Sequence, residues 1–321
     1  MKQTLHSLWG KCSVVLLCAS LFYSSSFAQL SAGPYLEAGI TVGPSNFLGD
    51  LGGNYGKGTT FLKDNNIQLT KFMAGAFIAG YPSEWLGVRF ALNIGKIEGD
   101  DAIIKGKGGL EEARRLRNLN FKSGIKEAFL GLELYPTTFF EGDPTDVFHK
   151  FRPYGMIGVG VFTFNPKGQD PLTGAWVKLH ELHTEGQGFA EFPDRKNYSL
   201  VQMNIPMGFG LKYFISENVS LGFEIVHRKT FTDYIDDVST NYIDPNLFYA
   251  YMPAAQAAIA DRIYNKSQLR YLSSGYSPGD KRGTAENNDA YYSAGFKLGF
   301  RLGSGTDRRW RNSTRCPIIR F

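Results

Sequence analysis

The 321-residue sequence has little of what usually reveals a protein's class. Past its first 28 residues it contains no run of 18 apolar residues, which excludes a membrane-spanning helix of about 20 residues. Its three cysteines are Cys12, Cys18 and Cys316. The first two lie in a segment expected to be removed, so the mature chain has one thiol and no intrachain disulfide. Of the five histidines, His6, His149, His180, His183 and His227, the last alone falls in a predicted strand. No Ser or Asp partner stands at a defensible spacing from it, and no catalytic set can be assembled. Excess charge is also missing. Without Lys2 and Lys11 the chain has 33 basic and 30 acidic residues, and without its last nineteen residues the body has 28 against 29. No basic stripe with interleaved aromatics exists, which excludes a nucleic-acid binder.

What is present begins with an export signal. Lys2 and Lys11 precede an apolar run, Val14 to Tyr23, too short to span a bilayer. Ser26-Phe27-Ala28 places small residues where a signal peptidase reads. Cleavage is expected after Ala28, and Leu17 before Cys18 argues against lipoprotein processing. Residues 1–28 are therefore read as a signal peptide, 29–302 as the body and 303–321 as a basic tail.

The body follows period two, not 3.6. Apolar residues alternate with small or polar ones over 33–43, 70–81, 86–97, 121–135, 153–164, 198–214, 218–230 and 290–302. In 86–97, Leu86, Val88, Phe90, Leu92 and Ile94 oppose Gly87, Arg89, Ala91, Asn93 and Gly95. Each run can cross a bilayer as a tilted strand of about 9–11 residues. A mean hydropathy of −0.23 fits such a barrel, whose strands show every second residue to lipid. Glycine, of which the chain has 37, is abundant on the polar faces of these runs, as a narrow interior requires. Residues 82–85 and 215–218 are tight turns and 136–150 a moderate one, whereas 44–69, 98–120, 165–197 and 231–289 are long. Long and short connections that segregate to opposite ends predict an all-β fold: an eight-stranded antiparallel transmembrane β-barrel with long extracellular loops, both termini in the periplasm. Helices are expected in two loops, at 109–119 and at 254–265 after Pro253. Ser293-Ala-Gly295-Phe-Lys-Leu298-Gly-Phe300 fits the polar–x–Gly–x–x–apolar–x–aromatic signal of barrel insertion.

Several local patterns fail as sites. Gly49–Thr60 lacks the first glycine of a phosphate loop, and Gly58 stands where Ser or Thr is needed. His180-Glu181-Leu182-His183, with Glu185, has the wrong spacing for a helical zinc pair and reads as solvated loop. Asp233, Asp236, Asp237 and Asp244 lack the alternate spacing of a calcium loop and read as turn and cap residues. Arg89, Glu127, Glu133, Glu224 and Arg228 on polar faces are expected to pair inside the barrel, because an unpaired buried charge is costly. Catalytic, cofactor and metal residues are accordingly none. The tail is the piece a barrel does not need, and its Arg308, Arg309, Trp310, Arg311, Cys316 and Phe321 suit partner binding.

Ser45-Asn-Phe-Leu-Gly-Asp50-Leu51, Gly222-Phe-Glu-Ile followed by Arg228 to Ser239, Asn288-Asp-Ala-Tyr-Tyr292 and Cys316-Pro together resemble the PorG-like barrels of the type IX secretion system of Bacteroidota. The loops at 165–197 and 240–289 are longer than that pattern. The resemblance implies a non-enzymatic outer-membrane component that anchors a periplasmic ring of the export machine. The tail would then meet that ring, with Cys316 as a candidate disulfide partner. A surface adhesin or ligand-binding barrel acting through 165–197 and 231–289 is the alternative.

Overall fold

A computed structural model describes residues 34–52, 67–104, 108, 111–140, 150–216, 218–267 and 276–302. Eight long strands carry the fold: β1 (Tyr35–Leu48), β2 (Lys71–Ser83), β3 (Leu86–Asp100), β4 (Asn120–Leu134), β5 (Phe151–Thr163), β8 (Val201–Phe214), β9 (Val219–Thr230) and β10 (Ala290–Leu302). Each pairs antiparallel with the next, and β1 pairs with β10 from Leu36↔Leu302 to Leu48↔Ala290, so the sheet closes on itself. Closure removes the open edges that would otherwise template aggregation.

The strand faces are inverted relative to a water-soluble core. On β3, Val88, Phe90, Leu92 and Ile94 point out, while Arg89, Ala91 and Asn93 are buried inside. The same phase holds on β4, where Leu130, Leu132 and Leu134 are exposed, and on β5, β8 and β10 at Val159, Met203 and Phe296. Ile94 is 64 % exposed and Glu133 0 %, which is stable only where the outside is apolar and the inside is fully paired. The exterior is thus a continuous apolar sleeve, far beyond the patch size a soluble monomer tolerates.

All eight alternating runs become strands, with one instructive difference. The alternation in the first run ends at Gly43-Pro44, yet β1 continues to Leu48. Proline has no N–H to give to a ladder, and the β1–β10 pairing skips Gly43 and Pro44 before resuming at Ser45↔Ser293. The neighbouring strand carries β1 past its proline.

The tight connections leave aromatics at one rim. Trp85 packs near Phe139 (5.9 Å) and Phe151 near Tyr213 (4.7 Å), and Phe139, Phe140 and Ile215 are exposed. Aromatic girdles of this kind flank the apolar band of a membrane barrel.

At the opposite rim the long connections fold. They contribute a small hairpin, β6 (Lys167–Gln169) with β7 (Trp176–Lys178), a single turn at His180–Leu182, and three helices: α1 (Glu111–Arg117), α2 (Asn246–Tyr251) and α3 (Ala254–Tyr264). Pro253 stands at the start of α3 and Pro245 at the start of α2, where a missing N–H costs nothing. Ile235, Val238, Tyr242, Phe248, Ala257, Ala260 and Ile263 share one buried core with Phe47, Ile97, Phe121, Phe162 and Tyr291 of the barrel strands. The long loops are therefore a packed cap continuous with the barrel.

Candidate functional site

The barrel interior was expected to be filled by paired charges, and it is. Four glutamates, Glu37, Glu127, Glu133 and Glu224, face four cations, Arg89, Lys212, Arg228 and Lys297, all buried. Glu133, on β4, sits at the centre: Lys297 Nζ lies at 2.8 Å, Arg89 Nε at 3.1 Å, and the hydroxyls of Tyr81 and Tyr135 donate to it at 2.8 and 2.6 Å. Arg89 turns its other end to Glu224 (2.8 Å), which also accepts from Tyr154 (2.6 Å). Towards the short-turn rim Lys212 meets Glu37 at 2.6 Å. Nearer the cap Arg228 lies 3.3 Å from Glu127, which takes further bonds from Asn93 and Asn204 at 2.7 Å. Every strand of the ring contributes a residue to this lattice.

Glycines opposite bulky side chains make room for it. A Cβ on Gly210 would stand 2.5 Å from the Tyr154 ring and one on Gly87 2.6 Å from the Tyr81 ring. A small space between Thr41, Arg89, Asn93, Glu224 and Arg228 has a volume of about 10 Å³, enough for about one water. Among the described residues the lumen at this level is a packed polar core.

His227 alternates out of phase with Glu224 and Arg228 on β9 and shares the outer face with Leu221 and Phe223. It cannot act with the lumen carboxylates. Lys212 and Lys297, which were not among the five named for pairing, also belong to the lattice. Their placement on the polar faces of the last strands was the available signal.

The cap corrects one other reading. The segment from His180 to Glu185 is not solvated loop: Leu182, Thr184 and Glu185 are buried. Glu185 accepts from the backbone N–H of Ser239 and Thr240 (both 2.9 Å), from the Thr240 hydroxyl (2.7 Å) and from Arg282 (2.8 Å). Asp237 accepts from Tyr198 (2.7 Å) and from Thr184, whereas Asp244 does cap a turn by accepting from Asn246 N–H at 2.9 Å. Asp236 makes the expected turn bond, accepting from Val238 N–H at 2.9 Å, and both it and Asp233 are buried. Arg117 of α1 binds Asp101 (2.7 Å) and the carbonyls of Arg282 and Asp50 (both 2.6 Å). Arg262 of α3 reaches Asp170 beyond β6 at 2.8 Å. That bond holds the Asp170 carboxyl down to about 2. Two buried arginines, Arg117 and Arg282, and the buried Glu185 thus tie all four long connections together.

The six tail residues proposed for partner binding, Arg308, Arg309, Trp310, Arg311, Cys316 and Phe321, lie outside the described residues, as do the signal segment and Gly53–Thr60 of the rejected phosphate loop.

The class defined by these features is a closed eight-stranded antiparallel barrel with an apolar sleeve, a charge-paired lumen and a folded cap. The sequence profile of a family described as a domain of unknown function, DUF6089, matches residues 13–170. No curated protein sequence matches the chain. Among solved structures it is similar to Ail, the attachment invasion locus protein of Yersinia pestis, in complex with the heparin analogue sucrose octasulfate. That match has 7 % identity over 84 % of this chain and 99 % of the other, with a TM-score of 0.34. Neisserial surface protein A aligns at 9 % identity over 85 % and 99 %, TM-score 0.32. The outer membrane protein OprG of Pseudomonas aeruginosa aligns at 13 % over 84 % and 97 %, TM-score 0.29.

Proposed function

We propose that this chain is a non-catalytic outer-membrane scaffold, the integral component that anchors the periplasmic ring of a type IX protein secretion machine. The observation that carries the reading is the filled lumen. A barrel whose interior is a lattice centred on Glu133 has no passage to offer, so its work is done by its ends. Support also comes from where the family-like stretches lie. Ser45–Leu51, Gly222–Ser239 and Asn288–Tyr292 are distant in sequence, yet Asn46 donates to the Tyr292 hydroxyl (3.1 Å), Leu51 N–H to Asp236 (3.0 Å) and Ile235 N–H to Asp289 (2.8 Å). These three stretches therefore meet where the barrel joins its cap.

Under this reading the signal peptide delivers the chain to the periplasm, the short-turn rim faces that compartment, and the cap faces outward. The tail after Leu302 then leaves on the periplasmic side, because Leu302 pairs with Leu36 at the start of β1. Arg308, Arg309, Trp310, Arg311 and Phe321 dock on the ring proteins, and Cys316 is positioned to form a disulfide with one of them. A strain producing the chain truncated after Leu302 is expected to insert the barrel yet to lose bulk secretion of many cargo proteins. Normal secretion from that strain would refute the anchoring role. Non-reducing gels of wild type and Cys316→Ser test the disulfide: identical complexes would remove it.

A second reading is favoured by one observation, the folded cap, which exposes Tyr249, Tyr251 and Leu172. In it the chain is a surface adhesin or ligand-binding barrel. Replacing 165–197 by a short turn would then abolish binding while secretion continues.

A further inference from the structure

Where the cap meets the barrel, three chain segments bring four aspartates together. Asp50 follows β1, Asp233 and Asp236 follow β9, and Asp289 leads into β10. Backbone N–H groups hold one side of the cluster: Leu51 and Val238 donate to Asp236 (3.0 and 2.9 Å), Ile235 donates to Asp289 (2.8 Å), and Thr284 donates to Asp50. The other side is unsatisfied. Both carboxylate oxygens of Asp233 and Oδ1 of Asp289 are buried without a hydrogen-bond partner, in residues only 6 % and 1 % exposed.

The charges around the cluster do not neutralise it. Glu185, from the segment after β7, adds repulsion to Asp50 and Asp233. Arg117 of α1 is committed to Asp101, and Arg282 to Glu185. Arg117 and Lys281 exert an attraction on Asp50 that is smaller than the effect of its burial. The Ser239 hydroxyl near Asp233 offsets part of its burial without reaching hydrogen-bond geometry. Among the described residues no lysine or arginine forms an ion pair with any of the four aspartates. Three buried carboxyls and the half-buried Asp50, repelling one another, cannot all ionise.

We propose that this cluster is a proton-held latch: protons shared among Asp50, Asp233, Asp236 and Asp289 join the cap to the barrel rim, and their loss in alkaline medium loosens the 231–239 and 283–289 segments.

Burial, then the neighbouring Asp50, push Asp233 from its ordinary 3.8 up to about 8. Burial and the same neighbours hold Asp236 and Asp289 well above the usual carboxylate range. Since the folded carboxyl keeps a proton that the unfolded one releases near 3.8, the stabilisation is complete below that pH and is lost as pH rises through about 8.

Hydrogen-exchange mass spectrometry of the full chain in detergent micelles tests this, with protection factors corrected for the intrinsic pH dependence of exchange. Between pH 6 and pH 9, protection of 231–239 and 283–289 should fall by about tenfold or more, one factor of ten for each proton-affinity unit lost, while β4 stays constant. Asp233→Asn and Asp289→Asn, singly and together, mimic the protonated carboxyl and should flatten that response. Constant wild-type protection would overturn the proposal, and so would an undiminished response in folded variants. The wild-type series decides alone if the variants do not fold. Protection at pH 9 restored by millimolar calcium chloride would also overturn it, in favour of a cation site.

Discussion

At the scale of single residues, Glu133 is the position on which the lumen depends. It balances Arg89 and Lys297 and takes two tyrosine hydroxyls, with no exposure to solvent. Replacing it by Leu leaves two cations in a water-poor interior, which should cost about 3–5 kcal/mol. Urea unfolding from lipid vesicles, followed by tryptophan fluorescence, should show the midpoint fall. Lys297→Met added to Glu133→Leu should recover part of the loss, because a removed pair costs less than a broken one. This part of the molecule was legible in sequence: charges at alternate positions of predicted strands must face a closed interior and must pair there. Which partners meet was not legible, since Glu133 and Lys297 are 164 positions apart. Lys212 shows the limit best, because its partner Glu37 lies on a strand that is not its neighbour in the ring.

At the scale of elements, the barrel strands could be read and the cap could not. A strand with one face in lipid repeats its pattern every two residues over a dozen positions, as β3 does; β10 does so from Gly295 onward, after the buried pair Tyr291 and Tyr292. The cap is built from pieces too short for any period to emerge. Hairpin β6–β7 has three residues on each side, and α2 has six. Helix α3 was legible from Pro253 and its helix formers, but its attachment to Asp170 was not. Asp170→Ala should free Arg262 and loosen the hairpin from α3 by about 1–2 kcal/mol, a hydrogen bond to a charged group weakened because Arg262 is partly solvated. The carboxyl is held down, so its contribution is present at neutral pH and lost only as pH falls towards about 2. Limited proteolysis at neutral pH should cut the variant faster within 165–178, with the strands intact. On the sleeve, Leu132→Arg places a cation on the exposed face of β4 and should cost about 2–4 kcal/mol in vesicles if that site lies near mid-bilayer.

For the whole molecule, orientation and closure follow from parity. Eight strands return the last residue of β10 to the first turn of β1, so both ends of the body leave at the short-turn rim. The aromatic rim around Trp85, Phe139 and Phe151 marks that end, and its rings flank the tight turns in sequence, where they were available to be read. A planar-bilayer recording of the refolded chain should show no steady ion conductance, because buried ion pairs and tyrosines fill the interior around Glu133. Steady opening events would require the lattice to rearrange and would weaken the scaffold reading.

The seam between β1 and β10 carries a consequence for the order in which the protein is made. The cap core contains Phe47 from the first strand and Tyr291 from the last, and Asp289 holds the segment that follows β9. The Asp289 contact needs only β9 and β10 paired, but Phe47 and Tyr291 come together in the cap core only when the final thirteen-residue strand has zipped onto the first. Synthesis therefore leaves the cap segments open and cleavable until the last moment, and their burial records that the ring has shut. A chain stalled on the assembly machinery should be cut by added protease within 165–289, and a released one should resist, so the cap doubles as a time stamp for completed insertion.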